Sequence, residues 1–459
     1  MPAHSDRCGP LSVQSLVTEL QVARAALRKH HRIGGVIART ACFNIASTLA
    51  AALSGIIVAR AVGPAVRGEY AAVTSWFGLL LIVGGAGQPA AVCFHVARYP
   101  RRARGYVATS RTMMLGTGAI ALTTGLLLAP VLAHGNPGLT QAYRIAFAGS
   151  GTAFVGASYT FSLQARDIKR WNLVRVSQPL LALTAVAVLW RLSMLTLHSA
   201  IWVVAVTMAI QFCYAYYSCR RGKLAPGRAR AKLVRPLARY GLGQLAAVAP
   251  ATVNAYLDQL VLSQLVPAAD LGRYAIAVSA TLAPVPLVSA IGNVAFPHLA
   301  ARQNATTAGN RLQLTAVAVS AGLASAVLLP VAVSAYWLIP AVFGPAYRDA
   351  VPLLWLLTPG GIFLACGQVT GDLLRGVNKQ GIVAAAQGLA ALFTVILLVC
   401  LLPGLGVTAA AIASTVSYGI ALVVMIRWLR RPPRARSAST DGGSSLRKRR
   451  SASQDMRNA

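Results

Sequence analysis

Long apolar runs separated by short polar stretches occupy this chain between residues 36 and 428. Most runs reach about twenty residues, the length at which an α-helix crosses the hydrocarbon core of a bilayer. They predict about twelve membrane-spanning helices. These are 37–59, 71–97, 112–134, 142–165, 173–190, 199–219, 240–265, 274–297, 313–338, 350–373, 382–402 and 408–427. The pattern predicts an all-α integral membrane protein.

One unit of this pattern occurs twice. The stretch 62–98 returns as 266–302, shifted by 204 positions without a gap. The coinciding residues include Val62/Val266, Gly68/Gly272, Tyr70/Tyr274, Ala71/Ala275 and Arg98/Arg302. A multi-span chain built from two copies of one unit is typical of transporters. Because an even number of predicted spans separates the copies, we expect two six-helix bundles related by a parallel repeat, with the pathway between them.

The repeat and the polar stretches divide the chain into five predicted parts. The N-terminal bundle is 36–219 and the C-terminal bundle is 240–428, joined by a basic cytoplasmic linker at 220–239. Residues 1–35 form a basic cytoplasmic leader, either an amphipathic helix on the membrane surface or an unstructured segment. Residues 429–459 are rich in Arg, Lys and Ser and predict a disordered basic cytoplasmic tail.

The charge distribution supports this topology. Of the 459 residues, 56% are hydrophobic and 12% charged, and the mean hydropathy is +0.60. In a soluble protein the net charge of +33 would suggest a nucleic-acid partner. Here 36 Lys and Arg residues fall on one side of the predicted helices and six on the other. By the positive-inside rule both termini are cytoplasmic, and no nucleic-acid partner is needed to explain the charge.

Polar side chains within the predicted spans are candidate functional groups, because burying them in a membrane is costly. Arg39 and Asn44 share one face of the first predicted helix, and Asn254 and Asp258 share one face of the seventh. These helices are equivalent in the two halves, so both faces are predicted to line a wet central cavity and bind substrate. The alternatives are a helix–helix contact for Asn254 and Asp258, and a cytoplasmic surface position for Arg39.

A second internal echo adds two glutamines to the candidate substrate site. The stretch 166–178 resembles 375–387, and each copy ends on a glutamine inside the next predicted helix. Gln178 and Gln387 are predicted either to line the cavity or to bond neighbouring helices.

Carboxylates are rare in the predicted spans. Asp258 and Asp372 are the candidate ion-coupling residues, although Asp372 is equally well placed for a helix-end salt bridge with Arg375. Glu69 is predicted to form a salt bridge with Arg67 at the outer rim.

Several kinds of chemistry find no motif in the sequence. There is no G-x-x-x-x-G-K-[ST] loop, so a nucleotide-driven pump is not predicted. The seven cysteines include no C-x-x-C pair and no H-E-x-x-H occurs, so we expect no metal site and no other cofactor. No nucleophile, base and orienting group stand out together, so we do not expect an enzyme.

Several stretches resemble the bacterial lipid-linked oligosaccharide flippases of the multidrug/oligosaccharidyl-lipid/polysaccharide (MOP) exporter superfamily. They are VARAVGPAVRGEYAAV, YLDQLVLSQLVPAADLGRYAIAV followed by FPHLAAR, FGPAYRDAVPLLWLL followed by LLRGVNKQ, and PGLGVTAAAIASTVSYGIAL. The resemblance covers about residues 36–428 and implies two bundles in a V that open alternately to the cytoplasm and the exterior. Family members move undecaprenyl-diphosphate-linked sugars outward, with cationic cavity residues facing the diphosphate. Arg39 is the best-placed counterpart of those residues, with Arg60 and Arg144 as further candidates.

The resemblance therefore implies a flippase that carries polyprenyl-diphosphate-linked oligosaccharide across the inner (cytoplasmic) membrane for cell-surface polysaccharide biosynthesis. Its expected partners are the lipid-linked glycan, anionic lipids at the basic loops and tail, and glycan polymerases or glycosyltransferases.

Three other functions compete with the flippase. A cation-coupled multidrug exporter of the same superfamily needs several cavity carboxylates, and only Asp258 and Asp372 qualify here. A membrane scaffold for glycan-synthesis enzymes would not need the polar helix faces. A membrane-embedded glycan polymerase or ligase would want a large external loop, and the predicted external loops are short.

Overall fold

The structure, a computed structural model, describes residues 13–222, 224, 227–285, 287–288, 307–376 and 379–430. Within these ranges it describes the side chains from Arg39 onward, except those of 307–312 and 376. The predicted leader up to residue 12, the tail after Arg430 and most of the second half of predicted helix 8 lie outside the described residues.

The described part of the chain contains twelve α-helices and no strand. They are α1 Val13–Gly85, α2 Gln88–Arg98, α3 Ala103–Leu132, α4 Pro137–Arg166, α5 Ile168–Arg191, α6 Leu197–Arg221, α7 Ala231–Leu265, α8 Ala268–Thr281, α9 Thr307–Phe343, α10 Ala350–Gly376, α11 Gln380–Leu405 and α12 Val407–Leu429. The all-α fold predicted from the apolar runs is confirmed.

The first two predicted spans are joined and re-divided in the structure. Helix α1 continues through the predicted loop at 60–70, with one non-helical residue, Gly63 (φ 75°, ψ 176°), before Pro64. We call the part of α1 before Gly63 its first arm and the part after it its second arm. The predicted helix 71–97 is interrupted at Ala86 and Gly87, which both adopt positive φ, and α2 follows. Hydropathy did not reveal this turn, because both sides of it are apolar.

Nine of the described helices are long and apolar enough to cross a membrane. Helix α4 does not qualify, although its 30 residues are long enough. It packs against α1, α2, α3, α5 and α6, and it buries Ser150, Ser158 and Ser162 inside the bundle. A helix surrounded by other helices can carry more hydroxyl groups than one that faces lipid.

The helices form two six-helix bundles. The N-terminal bundle comprises α1 to α6, with α4 packed between α3 and α6, and the C-terminal bundle comprises α7 to α12, with α12 packed on α10 and α11. The predicted two-bundle fold is therefore confirmed, and the second arm of α1 provides the main contact with α7 and α8.

Side-chain hydrogen bonds join the bundles along this contact. The Ser75 hydroxyl donates to Oε1 of Gln259 (2.9 Å), and Nε1 of Trp76 donates to Oγ of Ser263 (3.0 Å). Toward the other end of the contact, the rings of Phe94 and Tyr240 stack with centroids 4.4 Å apart.

Connections between helices alternate between two ends of the molecule. One end, which we call the basic end, carries the connections around 99–102, 167, 222–230 and 379. The opposite end, which we call the sparsely charged end, carries the connections around 134–136, 192–196, 266–267 and 344–349 and the break at Gly63. Helix α7 begins at Ala231, inside the predicted linker, and the N–H of Arg230 donates to Thr109 of α3.

Candidate functional site

A cavity of about 430 Å³ lies between the two bundles. Both arms of α1, together with α5 and α6, line it from the N-terminal bundle, while α8 and the end of α9 line it from the C-terminal bundle. Its polar lining consists of Ser54, Arg67, Tyr70, Gln178 and Ser279. We call it the inter-bundle cavity. A cavity formed by both halves of a repeat transporter is where substrate is expected to bind.

Arg67 is the charged group of this cavity lining. The residue is only 8% exposed, and its guanidinium carbon lies 5.4 Å from the centre of the Tyr70 ring. Its Nε has no hydrogen-bond partner, and no described carboxylate forms an ion pair with it. A cation buried without a counter-ion is costly, so its presence in a cavity suggests an anionic ligand.

The predicted salt bridge between Glu69 and Arg67 is wrong. Glu69 lines a different pocket of about 410 Å³ at the sparsely charged end, together with Asn136 and His198. Residues two apart on a helix point to different sides, so the second arm of α1 directs one charge to each pocket. Helices α4 and α6 begin at the pocket that Glu69 lines, and the positive ends of their dipoles favour a carboxylate there.

The candidates of the first helix lie outside the inter-bundle cavity. Arg39 and Asn44 are half-buried on the first arm of α1, and neither belongs to the described cavity lining. Between them, the Thr40 hydroxyl accepts a hydrogen bond from Nδ2 of Asn172 on α5 (2.9 Å). This bond fastens the first arm to α5. Substrate binding by Arg39 and Asn44 stays a prediction.

Gln178 was predicted either to line the cavity or to bond a neighbouring helix, and in the structure it does both. Its side chain lines the inter-bundle cavity, and its Nε2 lies 3.4 Å from Oγ1 of Thr207 on α6.

Asp258 lies inside the C-terminal bundle and is 3% exposed. Its carboxylate accepts hydrogen bonds from the hydroxyl of Tyr274, from Oγ of Ser414 (3.2 Å) and from the N–H of Gln259 (2.7 Å). Helices α7, α8 and α12 therefore meet at one buried carboxylate. In this arrangement Asp258 makes helix–helix contacts, and it does not line the described inter-bundle cavity.

Asn254 and Gln387, both predicted to bind substrate, do come together. Nδ2 of Asn254 lies 3.4 Å from Oε1 of Gln387, and Oγ1 of Thr394 lies 3.1 Å from Oδ1 of Asn254 and 2.8 Å from Oγ of Ser417. Asn254 is 3% exposed, so this network belongs to the interior of the C-terminal bundle.

A second cavity of about 250 Å³ lies within the C-terminal bundle, and Gln387 and Asp372 both line it. Gln368, Arg375 and Tyr418 complete its polar lining. Nη1 of Arg375 lies 2.8 Å from Oδ1 of Asp372, which confirms the predicted helix-end pair. The two candidate ion-coupling carboxylates therefore lie in the same bundle, one buried and one beside a polar cavity.

Sequence reasoning missed Arg67, Tyr70 and Tyr274 as site residues. All three lie in the repeated segment, and Tyr70 and Tyr274 are identical positions of its two copies. Their polar groups, shared by both copies or adjacent to the glycine in the repeated segment, could have identified them as candidate site residues. The sequence, however, placed them at a rim rather than in a cavity.

Comparison with known proteins agrees with this fold. The family described as polysaccharide biosynthesis protein matches residues 37–303, more than half of the chain. The chain belongs to this polysaccharide biosynthesis protein family. No curated protein matches it.

Solved structures of MOP transporters share the fold of this family member at low sequence identity. An inward-facing multidrug resistance MATE transporter of the MOP superfamily matches with a TM-score of 0.70 at 15% identity, covering 84% of this chain and 94% of its own. The lipid II flippase MurJ in an inward closed conformation matches with a TM-score of 0.71 at 11% identity, covering 85% and 87%.

A MOP superfamily transporter from Pyrococcus furiosus, for which a binding pocket of reverse polarity is described, matches with a TM-score of 0.59 at 15% identity. It covers 86% of this chain and 94% of its own. This family member is thus a multi-pass membrane protein with the fold of MOP transporters, as its resemblance implied.

Proposed function

We propose that this protein is a flippase that moves a polyprenyl-diphosphate-linked oligosaccharide from the inner to the outer leaflet of the cytoplasmic membrane, for cell-surface polysaccharide biosynthesis. One observation carries the proposal. The described lining of the inter-bundle cavity contains a buried arginine, Arg67, and no carboxylate. A cavity with this polarity suits a diphosphate, which brings two or more negative charges into it.

The physics of lipid transfer fits such a cavity. A sugar diphosphate cannot enter hydrocarbon without losing its hydration, whereas a polar cavity replaces that hydration and leaves the lipid chain outside. An inside-negative potential favours the outward movement of anions by about 2.3 kcal/mol per charge per 100 mV. Transport in this direction therefore needs no nucleotide.

The cation-coupled multidrug exporter is less compatible with the same cavity. A cationic drug would meet Arg67 at close range, and the described lining offers no carboxylate to compensate. Desolvated like charges repel strongly, so the polarity of the cavity selects against cations.

We propose that the basic end faces the cytoplasm. Arginines at this end lie over aromatic rings: Arg175 over Trp171 at 4.4 Å, and Arg221 over Tyr217 at 4.8 Å. Paired aromatic and cationic side chains are typical of the membrane–water interface, and excess Lys and Arg are typical of its cytoplasmic side. The basic loops would then also attract anionic lipids, and glycan polymerases or glycosyltransferases are candidate partners there.

We further propose that Asp258, with Asp372 as a second candidate, binds the cation that couples transport. Asp258 is buried and surrounded by the hydroxyls of Tyr274 and Ser414, oxygen atoms that can also coordinate a small cation. Asn254 lies one helical turn from Asp258 on α7, and Gln387 of α11 contacts Asn254. Arg39 stays the predicted second cation for substrate, closer to the basic end than Arg67.

Reconstitution tests the proposal directly. In proteoliposomes, a fluorescent polyprenyl-diphosphate sugar should cross the bilayer, and an imposed potential should change the rate. Arg67→Gln should slow this activity about 10- to 100-fold, whereas Arg191→Gln, at an exposed arginine of the same end, should leave it unchanged. Efflux of cationic dyes driven by Na⁺ or H⁺, without lipid translocation, would instead establish the exporter. Neither activity in a folded protein would favour the scaffold.

A further inference from the structure

The glycines of the internal repeat, Gly68 and Gly272, meet where the two bundles touch at the sparsely charged end. A Cβ atom on Gly68 would lie 1.7 Å from the carbonyl oxygen of Ala268, and one on Gly272 would lie 2.0 Å from that of Pro64. Pro64 and Ala268 are themselves 204 positions apart. The contact is therefore isologous: each half presents the same segment to the other, as in a two-fold dimer.

Glycine is required at these two positions because the opposite bundle leaves no room for a side chain, and not because of the backbone conformation. Neither has a positive φ, in contrast to Gly63 and Gly87 on the same bundle. Within a helix glycine is less favourable than alanine, so local structure alone would favour a side chain at both positions. The close approach of the other bundle is the remaining physical reason for glycine.

The contact lies directly beside the inter-bundle cavity. Arg67 precedes Gly68 in the chain, and Ile276 is one helical turn from Gly272; both residues line the cavity. Gly272 lies nearer than Ile276 to the connection at 266–267, so the contact lies at the margin of the cavity toward the sparsely charged end.

Other hydrogen bonds and a shared apolar core also join the two bundles near this end. The hydroxyl of Tyr347 donates to the carbonyl of Ala59 (3.0 Å), and Nη1 of Arg60 donates to the carbonyl of Ala341 (3.1 Å). Among the described residues no ion pair joins the two bundles. Tyr347 lies in an Ala-Tyr-Arg triplet that also occurs 204 positions earlier, but the hydroxyl of its counterpart Tyr143 has no hydrogen-bond partner, so only one copy makes this bond. The described contacts at this end therefore include no charge–charge interaction that must break before the bundles separate.

We propose that the Gly68–Gly272 contact is the outer gate of the transport pathway, and that a side chain at either glycine holds the gate open. The gate is independent of the identity of the substrate. It shares with the proposed function only the topology, in which the sparsely charged end faces outward.

Thiol labelling in intact cells tests the gate without any substrate. Ser54→Cys and Ser279→Cys each place a thiol in the inter-bundle cavity, one from each bundle. A membrane-impermeant methanethiosulfonate reagent is added outside, and labelling is measured above that of the parent protein, which contains the native cysteines. Gly68→Val and Gly272→Val should each raise the labelling rate by about tenfold or more, because the closed state cannot accommodate the wedge. Combining them should add little, because both act on one contact.

Two kinds of control separate the gate from general damage. Gly151→Val and Gly388→Val introduce the same side chain into a helix of each bundle where nothing lies within 4 Å. They should leave labelling unchanged. Gly241→Val is a wedge between the same bundles toward the basic end, where a Cβ would lie 2.9 Å from the carbonyl of Ala86. It should not raise labelling from outside.

Two labelling results would contradict the gate. Unchanged labelling with both valine variants, in protein that is inserted at normal levels, would overturn the gate. Equal labelling with Gly241→Val would also overturn it, since the wedge would then act by loosening the interface everywhere. If the valine variants fail to insert, Gly68→Ala and Gly272→Ala decide, because a Cβ alone already collides with the opposite carbonyl.

The same labelling in inverted vesicles checks the topology separately. If the wedges raise labelling only from the cytoplasmic side, the contact is a gate and the proposed orientation is wrong. If the gate opens outward as expected but no lipid is flipped, the gate stands and the proposed substrate fails.

Discussion

Tyr70 and Tyr274 occupy the same position of the internal repeat, yet one lies beside a cation and the other beside a carboxylate. The Tyr70 ring lies 5.4 Å from the Arg67 guanidinium and lines the inter-bundle cavity. Tyr274 is fully buried in the C-terminal bundle, where it donates to Asp258. The repeat therefore keeps the tyrosine and exchanges its charged partner.

The exchange can be followed in the sequence. The repeat counterpart of Arg67 is Leu271, and the counterpart of Asp258 is Ser54, each 204 positions away. Ser54 lines the inter-bundle cavity, whereas Leu271 is buried in the core. The N-terminal half thus presents a cation to the cavity, and the C-terminal half encloses a carboxylate away from it. Under the proposed function, this separation would let one chain hold an anionic headgroup and a coupling cation at different sites.

The largest effect is expected for the cation. Arg67→Gln should slow lipid flipping about 10- to 100-fold, since losing a hydrogen bond to a charged group costs about 1.5–3 kcal/mol. Thermal stability in detergent should not fall, because Nε of Arg67 has no partner in the fold. Flipping rates in proteoliposomes and melting curves measure the two effects. Full flipping activity in Arg67→Gln would show that Arg67 does not bind the substrate. A larger loss in Arg39→Gln would show that Arg39, the arginine predicted from the sequence, binds it instead.

Asp258→Ala should reduce both transport and stability. It leaves the hydroxyls of Tyr274 and Ser414 without their acceptor, and an unsatisfied buried polar group costs about 1–3 kcal/mol. We expect a lower unfolding midpoint and loss of any cation dependence of flipping. Asp372→Ala is the matched control for stability, because that carboxylate is part-exposed and pairs with Arg375, which can turn to solvent. Normal stability in Asp258→Ala would show that its hydrogen bonds do not hold the bundle together.

The same substitution at the two repeat tyrosines sharpens the contrast. Tyr274→Phe should lower the free energy of unfolding by about 0.5–1.5 kcal/mol, because it deletes a hydroxyl that donates to a buried carboxylate. Tyr70→Phe should change little, because the aromatic face that meets Arg67 remains. Unfolding in detergent, compared for both variants, tests this. Equal losses of unfolding free energy in the two variants would show that both tyrosine hydroxyls stabilise the fold to the same extent.

Removal of the tail should have the smallest effect. Truncation after Arg431 deletes a segment low in apolar residues, and we expect flipping to match the full-length chain within error. A reconstituted flipping assay on both proteins measures this. Complete loss of activity would show that the tail takes part in transport.

Sequence alone determined the membrane class, the all-α fold and the internal repeat. Runs of apolar residues and fixed offsets of residues such as Gly68 and Gly272 are properties of the chain order, so they need no knowledge of packing. Charge bias between loops is likewise a one-dimensional signal.

Only the tertiary structure decided which polar residues meet. A helical period shows that Asn254 and Asp258 share a face, but the face turned out to contact α8, α11 and α12 of its own bundle. The first arm of α1 was chosen for its arginine, yet the break at Gly63 and the crossing at Gly68 bring Arg67 into the cavity. The rotation of a helix about its own axis, and the choice of its neighbours, depend on contacts between distant segments. Periodicity within one segment carries no record of those contacts.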